Sequence, residues 1–294
     1  RARGPAACRR GRCAAPAVRF APRPAALRPA SGKPVPTWLW LILLLAMAAY
    51  MAFVAAIMAF ALTQDPAALT GGVPGAEPVT ATPEAVAKTI YTLATSLGYV
   101  FPVIVGAMAM TSEFRHQTIT PTLLAEPRRT VFLTAKMLSS LAVGVLFGVV
   151  GTASTVGAGA GVLALLGKPT YLTDPIVMRS AALSVLALTV WTVVGVGFGA
   201  LVTNQVAVIV IVLAFTQFVE PILRIVLGLM DWSEGISKYL PGAAGEAITG
   251  SSFYADSGVA AGLLPSWLGF VVLLGYAIVF ALIGRLTTLR HDIT

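Results

Sequence analysis

SAALSVLALTVWTVVGVGFGALVTNQVAVIVIVLAFTQFV, residues 180–219, is a run of forty residues without a charged side chain. A single α-helix of that length would extend about 60 Å at a rise of about 1.5 Å per residue, whereas the hydrocarbon core of a bilayer is about 30 Å thick. The run therefore predicts two membrane spans. We place a tight hairpin between them at Thr203, Asn204 and Gln205, the only consecutive polar trio in the run.

The whole chain has the composition of a membrane protein. Of its 294 residues, 57% are hydrophobic and 11% are charged, whereas soluble domains carry roughly 25% charged residues. This composition excludes soluble enzymes and soluble nucleic-acid-binding proteins.

Four further uncharged runs are long enough to cross a bilayer. The sequence predicts an all-α polytopic membrane protein of six spans, forming a domain from 37 to 294. Pro102 interrupts the second run, and we expect a kink there. The predicted spans are about 37–62, 89–111, 136–166, 180–202, 206–228 and 266–286.

The positions of the charges predict the orientation. Fifteen of the twenty Lys and Arg residues lie in the amino-terminal tail, in residues 113–136 or at the carboxy end, while eight of the twelve acids lie in the loops on the other side. Because basic loops stay in the cytoplasm, both termini are expected there. We expect the protein in a plasma or inner membrane.

Residues 1–36 form an Arg-, Ala- and Pro-rich tail with nine of the basic residues and no acid. This composition predicts disorder and contact with anionic lipid rather than with nucleic acid. Cys8 and Cys13 both lie there, which excludes a disulfide framework and argues against a metal site. Since the first methionine is Met47, we expect an upstream start or an unusual leader, with an organelle transit peptide as an alternative.

A few polar residues within the spans are candidates for function. Glu220 and Arg224 are four residues apart, so they lie on one helical face and are expected to pair. A structural pair near the interface is the first interpretation, and a gate is the second. Gly144 and Gly148 form a small-residue pair that permits close helix packing.

Two loops stand out. Residues 229–265 form a connection long enough to be functional or structured, although a solvated loop with short surface helices is the alternative. Residues 112–136, SEFRHQTITPTLLAEPRRTVFLTAK, combine an apolar side with a charged side. That pattern suits docking against a partner protein, and an ordinary charged loop among lipid phosphates is an equal alternative.

The order of a span, the segment TSEFRHQTITPTLLAEPRR at 111–129 and a following apolar helix resembles the permease subunits of type-2 ATP-binding-cassette exporters. The resemblance in organisation runs from about residue 37 to the end. It implies two permease halves, identical or different, joined to two nucleotide-binding ATPase subunits. ATP and magnesium would bind to those partner subunits, and this chain would hold no cofactor.

The resemblance also implies roles for individual residues. Residues 112–136 would be the coupling helix that contacts the ATPase, and two of the spans would line the transport path. Residues 229–265, including Tyr239–Gly242, would form an outer re-entrant or gate region. Many of those permeases carry a glycine where this chain has Gln117, and they begin with an amphipathic helix that residues 1–36 do not resemble. The implied coupling residues are Glu113, Phe114, Arg115, Thr118, Pro127, Arg128 and Arg129, and the implied pathway residues are Thr95, Ser96, Tyr99 and Gln217.

No catalytic motif accompanies these features. GVLALLGK at 161–168 has one residue too many for a phosphate-binding loop and is followed by Pro169. We therefore expect a transport subunit rather than an enzyme, with a cargo that the sequence does not identify. The alternatives are an ATP-independent secondary transporter or channel, and a non-transporting membrane scaffold or immunity protein.

Overall fold

A computed structural model describes residues 37–64, 82–119, 124, 129–228, 234–256 and 262–288. These residues form helices and their connections, and no β-strand occurs in those ranges. Six helical segments are long and apolar enough to cross a membrane, which confirms the predicted six-span, all-helical architecture. The predicted disordered tail and its two cysteines lie outside the described residues.

Eleven α-helices have both ends within the described residues, and two of the spans contain more than one helix. Span two consists of α2 and α3, and span five consists of α6, a π-helical segment at Phe215–Val219 and α7. The helices are α1 Thr37–Gln64, α2 Pro83–Ser96, α3 Val100–Arg115, α4 Arg129–Leu165, α5 Pro175–Leu201, α6 Gln205–Ala214, α7 Glu220–Gly228, α8 Glu234–Ser237, α9 Pro241–Thr249, α10 Phe253–Asp256 and α11 Ser266–Leu286.

Span two is interrupted at Leu97–Tyr99, one turn before Pro102, which is where a proline is expected to kink or break a helix. Pro102 itself is the third residue of α3, a position whose N–H would have no partner within the helix. The break coincides with Gly98, where a Cβ would lie 2.8 Å from the sulfur of Met51 on α1. Pro102 therefore lies in the first turn of a second helix, just after the break.

The hairpin between spans four and five lies where the polar trio predicts it. Helix α5 ends at Leu201 and α6 begins at Gln205. The side chain of Asn204 accepts hydrogen bonds from the backbone N–H groups of Val206 and Ala207, at 3.0 and 3.2 Å. Asparagine is a favoured residue for this capping role, which explains the sharp start of α6.

Contacts at the two ends show that the spans alternate in direction. At one end, which we call the hairpin end, Arg115 of α3 bonds to Gln205 and Thr288 bonds to Leu201. At the other, which we call the short-helix end because α8–α10 lie there, Tyr91 of α2 bonds to the carbonyl of Thr170. Span one therefore starts at the hairpin end, and span six finishes there.

Glycines bring α5 close to its neighbours. A Cβ at Gly195 would overlap the carbonyl of Val103 on α3, and one at Gly199 would meet that of Ala107. On α4, a Cβ at Gly144 or Gly148 would lie within 3 Å of α5 atoms, which confirms the predicted packing role of that pair. Backbone-to-backbone approach of this kind stabilises membrane bundles through van der Waals contact.

Gly195→Ala is expected to lower the stability of the protein by about 1–3 kcal/mol, because the added methyl group would force α3 and α5 apart. Gly157→Ala is the matched control, since a Cβ at Gly157 meets nothing within 4 Å. Thermal unfolding of both variants in the same detergent checks the prediction. Equal melting temperatures would contradict it.

Candidate functional site

Three charged side chains are buried together at the short-helix end. Arg224 Nη2 lies 3.3 Å from Glu220 Oε1, and Arg224 Nη1 lies 2.8 Å from Glu246 Oε2. None of the three side chains is more than 5% exposed. We call Glu220, Arg224 and Glu246 the three-charge cluster. The predicted pairing of Glu220 with Arg224 is confirmed, whereas the third member, Glu246, was not predicted.

Glu246 reaches the cluster because α9 is buried. Residues 242–249 of this helix are all inaccessible, and they pack chiefly against α11 and α5. The small side chains of Gly242, Ala243, Ala244 and Gly245 permit this entry between spans. The solvated-loop interpretation of this segment is therefore wrong for α9. A lone acid after a Pro-Gly-Ala-Ala-Gly run was the signal that could have identified Glu246.

Neighbouring groups complete the cluster. Glu220 accepts hydrogen bonds from the Tyr99 hydroxyl, at 3.0 Å, and from the backbone N–H of Gly242. Glu246 Oε2 accepts a hydrogen bond from the Ser252 hydroxyl. The cluster thereby joins span two, span five and the connection that carries α9.

Two aromatic rings shield these charges. The ring of Tyr99 stacks on Trp191 of α5 at a centroid distance of 4.4 Å. The guanidinium carbon of Arg224 lies 5.1 Å from the ring centroid of Tyr254, a cation–π arrangement. Burial raises the pKa of Tyr254, so its phenol stays protonated at neutral pH.

The structure brings only one of the predicted pathway residues into this site. Tyr99 bonds to Glu220, whereas Thr95 and Ser96 are buried in the last turn of α2 and Gln217 is half-buried in the π-helical segment. The hydroxyl of Thr95 has no hydrogen-bond partner among the described residues. A transport role for the four residues stays a prediction.

The predicted coupling residues lie at the opposite, hairpin end. Glu113 accepts hydrogen bonds from Thr118, at 2.5 Å, and from Lys136 of α4, at 2.7 Å. Arg115 Nη1 donates to Gln205 Oε1 at 3.0 Å. We call these five residues the junction, because they connect the end of span two to the starts of spans three and five.

Two of the four remaining coupling residues, Phe114 and Arg129, lie in the described part of the chain. Phe114 is half-buried and packs against Met110, Ile119 and Phe132, and Arg129 is the first residue of α4. Pro127 and Arg128 lie outside the described residues. Contact of any of these residues with an ATPase stays a prediction.

Gln117 has a backbone conformation that glycine usually adopts. Its backbone has φ of 54°, in the left-handed region that favours glycine. The turn lets Thr118 reach back to Glu113, and its backbone N–H also bonds to the Glu113 carbonyl at 3.0 Å. The chain therefore forms a glycine-type turn with a glutamine in it.

Comparison with protein-family models finds no match to this chain, and comparison with characterised proteins finds none either. Among the described residues, no group of three His, Cys, Asp or Glu side chains could hold a metal ion. The side chains of the three-charge cluster and of the junction form ion pairs and hydrogen bonds.

Arg224→Leu is expected to cost about 3–5 kcal/mol of stability, because it leaves two carboxylates buried without a cation. Arg179→Leu is the control: the same change at an exposed arginine should alter stability by about 0.5 kcal/mol or less. Melting temperatures in detergent measure the difference. Similar values for the two variants would show that the cluster does not stabilise the fold.

Gln117→Gly is expected to stabilise the protein by up to about 1 kcal/mol, because glycine removes the cost of the left-handed conformation at the expense of some unfolded-state entropy. Gln117→Ala keeps that cost and serves as the control. The gain corresponds to a rise of about 2–4 °C in melting temperature. A glycine variant that melts below the alanine variant would contradict the prediction.

Proposed function

We propose that this chain is the permease subunit of an ATP-driven exporter, forming the membrane pathway while a separate nucleotide-binding subunit hydrolyses ATP. Both termini and the junction would face the cytoplasm of a plasma or inner membrane. A second permease half, identical or different, would complete the pathway. This proposal follows the resemblance of residues 111–129 and agrees with the six-span fold.

The observation that carries the proposal is the junction. The end of span two is bonded to the following connection through Glu113 and Thr118, to span three through Glu113 and Lys136, and to span five through Arg115 and Gln205. A protein that pushed on this connection would move three spans together. Coupling of this kind needs no chemistry in the chain itself, since the free energy comes from the partner.

The segment that follows the junction offers an apolar contact. Leu124 is 81% exposed, and it lies within the stretch that resembles the exporter permeases. Burying a leucine side chain in a partner's cleft contributes about 1.5–3 kcal/mol. Leu124 is therefore the residue through which we propose to test the partner contact.

A cavity of about 330 Å³ lies between spans two, four, five and six. Its lining is almost wholly apolar and aromatic, including Val103, Trp191, Phe198, Phe215 and Phe280. Such a cavity would suit an apolar part of a cargo molecule. It adjoins Thr216 of the π-helical segment in span five.

A secondary transporter is the second candidate, and the three-charge cluster favours it. Ionisable residues buried within a membrane domain are common in proton-coupled carriers. The two candidates differ in one measurable property: reconstituted vesicles without nucleotide or ATPase subunit would accumulate solute only if the chain is a secondary transporter.

Leu124→Asp is expected to weaken association with the ATPase subunit about 10- to 100-fold, because it places a charge where the partner would bury an apolar side chain. The control is Leu165→Asp, the same change at a leucine 87% exposed at the other end of α4. The measurement is gentle purification, identification of co-purifying chains and an ATPase assay.

Recovery of a nucleotide-binding subunit with wild type and Leu165→Asp, and its loss with Leu124→Asp, would support the exporter. Equal recovery with all three chains would place the contact elsewhere. Solute transport by the isolated chain would contradict the exporter proposal.

A further inference from the structure

The apolar cavity between spans two, four, five and six offers a ligand little polar contact. Among the described residues that line it, none is charged. The hydroxyl of Thr216 donates to a carbonyl of its own span at 2.8 Å, and that of Tyr276 donates to the carbonyl of Tyr239 at 3.1 Å. The indole N–H of Trp191 lies on the side of α9, since a Cβ at Gly245 would be 2.6 Å from it. A polar molecule would therefore lose its hydration here without gaining hydrogen bonds.

Water and empty space are both unfavourable in this cavity. Its volume of about 330 Å³ is far larger than one water molecule requires. Apolar walls do not hold water, and an empty cavity loses the van der Waals contacts of every side chain that lines it. The cavity therefore favours an apolar occupant.

The π-helical segment of span five explains why the packing leaves this space. In a continuous α-helix, Val219 would lie on the same face as Val212, seven residues earlier. Val219 is instead 44% exposed, and Glu220 is buried. The wide turn thus directs Glu220 into the three-charge cluster and removes an inward-facing valine next to Thr216, which lines the cavity. Turns of this kind occur frequently at functional sites.

Side chains close the cavity toward both membrane surfaces. On the hairpin side it is lined by Phe198 and Phe280, whose ring centroids lie 5.6 Å apart in an edge-to-face arrangement. On the short-helix side it is lined by Leu240 and Pro241, at the start of the buried helix α9. An occupant would therefore enter from the side rather than from the water at either end.

The opening, which we call the mouth, lies between spans five and six. Ile211 and Leu223 of span five line the cavity and are 45% and 37% exposed, and Tyr276 of span six is half-buried. The two spans pack mainly against different neighbours, span five against α3 and span six against α5 and α9. Because both are long and apolar enough to cross a membrane, the mouth faces lipid in a bilayer.

The shape of the cavity indicates the kind of occupant. The lining residues of span five run from Ile211 to Leu223, which is about 18 Å along a helix at a rise of about 1.5 Å per residue. The cavity is thus narrow for its length and runs parallel to the spans. The acyl chains of the surrounding lipid have the same direction and the same apolar character.

We propose that the cavity is a binding site for one acyl chain of a bilayer lipid, which enters laterally through the mouth and exchanges with the bilayer. The inference names the occupant that the exporter proposal left open, and it requires neither an ATPase subunit nor transport. An acyl chain in this site would contact Trp191, whose ring stacks on Tyr99, and Thr216, whose carbonyl accepts a hydrogen bond from the Tyr99 hydroxyl at 3.3 Å.

Quenching of tryptophan fluorescence by brominated lipid tests the proposal on the full chain. Bromine quenches an indole only at close range, so Trp191, which is 3% exposed, should be strongly quenched only if an acyl chain enters the cavity. The chain is reconstituted into vesicles of phosphatidylcholine brominated near the middle of its acyl chains, and vesicles of the unbrominated lipid give the reference intensity. The other tryptophans are replaced by phenylalanine: Trp38, Trp40, Trp232 and Trp267.

A lipid-facing tryptophan gives the scale of the effect. Phe53→Trp, in a chain whose own tryptophans are all replaced, places an indole at a position that is 65% exposed in the middle of α1. Trp191 should lose a comparable fraction of its emission, although it is buried within the protein.

A matched pair of variants on span five tests the location. Val212→Phe fills part of the cavity, so it should restore most of the emission of Trp191. Val210→Phe is the same change at a position that is 58% exposed and should leave the quenching as it is. Val194→Phe fills the same cavity from span four and replaces Val212→Phe if that variant does not fold.

Strong quenching of Trp191 that a cavity-filling variant relieves and Val210→Phe does not relieve supports the proposal. Emission that brominated lipid leaves unchanged overturns it, and the mouth would then be covered by protein, such as a second copy of the chain. Quenching that is equal in all variants overturns the placement in the cavity. These measurements use no ATPase subunit, so failure of the exporter proposal would leave their outcome unaffected.

Discussion

The guanidinium of Arg224 is the group on which the short-helix end depends. It is bonded to one carboxylate on its own helix and to another on α9, which lies 22 residues further along the chain. In a bilayer the cost of an unpaired charge is high, so a polar group must find its partner within the protein. Arg224 thereby fixes α9 against span five, and the small side chains of α9 allow it to approach that closely.

The opposite end of the bundle is held together by a similar combination of an ion pair and hydrogen bonds. Glu113 is bonded to the turn that follows it and to Lys136 on the next span. Here the charges are half-exposed and balanced one to one, so they contribute less to stability than the buried cluster does. The two ends therefore differ in kind: one is a hydrated junction suited to a partner, and the other is a dry cluster suited to holding a segment in place.

The spans could be predicted from the sequence because hydropathy and length leave few choices in a bilayer. The hairpin at Asn204 was predictable as well, since a forty-residue apolar run must turn and asparagine caps helices well. Pro102 predicted the interruption of span two only to within one turn of the helix. The break lies at Leu97–Tyr99, where Gly98 packs close to Met51, and that tertiary contact is not encoded in the local sequence.

The candidate site was predictable only in part, for a related reason. Glu220 and Arg224 are close in sequence, so helical periodicity places them together. Glu246 joins them through tertiary packing, and no local pattern encodes that contact. The left-handed turn at Gln117 could not be predicted from the residue itself, because glycine is the residue that usually indicates a positive φ and glutamine is not.

The break at Leu97–Tyr99 divides span two between these two ends. Helix α3 carries Glu113 and Arg115 at one terminus, and at the other it is preceded by Tyr99, whose hydroxyl reaches Glu220. Helix α2 lies beyond the break and is bonded at its far end to Gly250 through Lys88. A rotation of α3 as a rigid body would thus displace the Tyr99 phenol while α2 keeps its place. Helix α3 therefore connects the junction at the hairpin end to the three-charge cluster at the short-helix end.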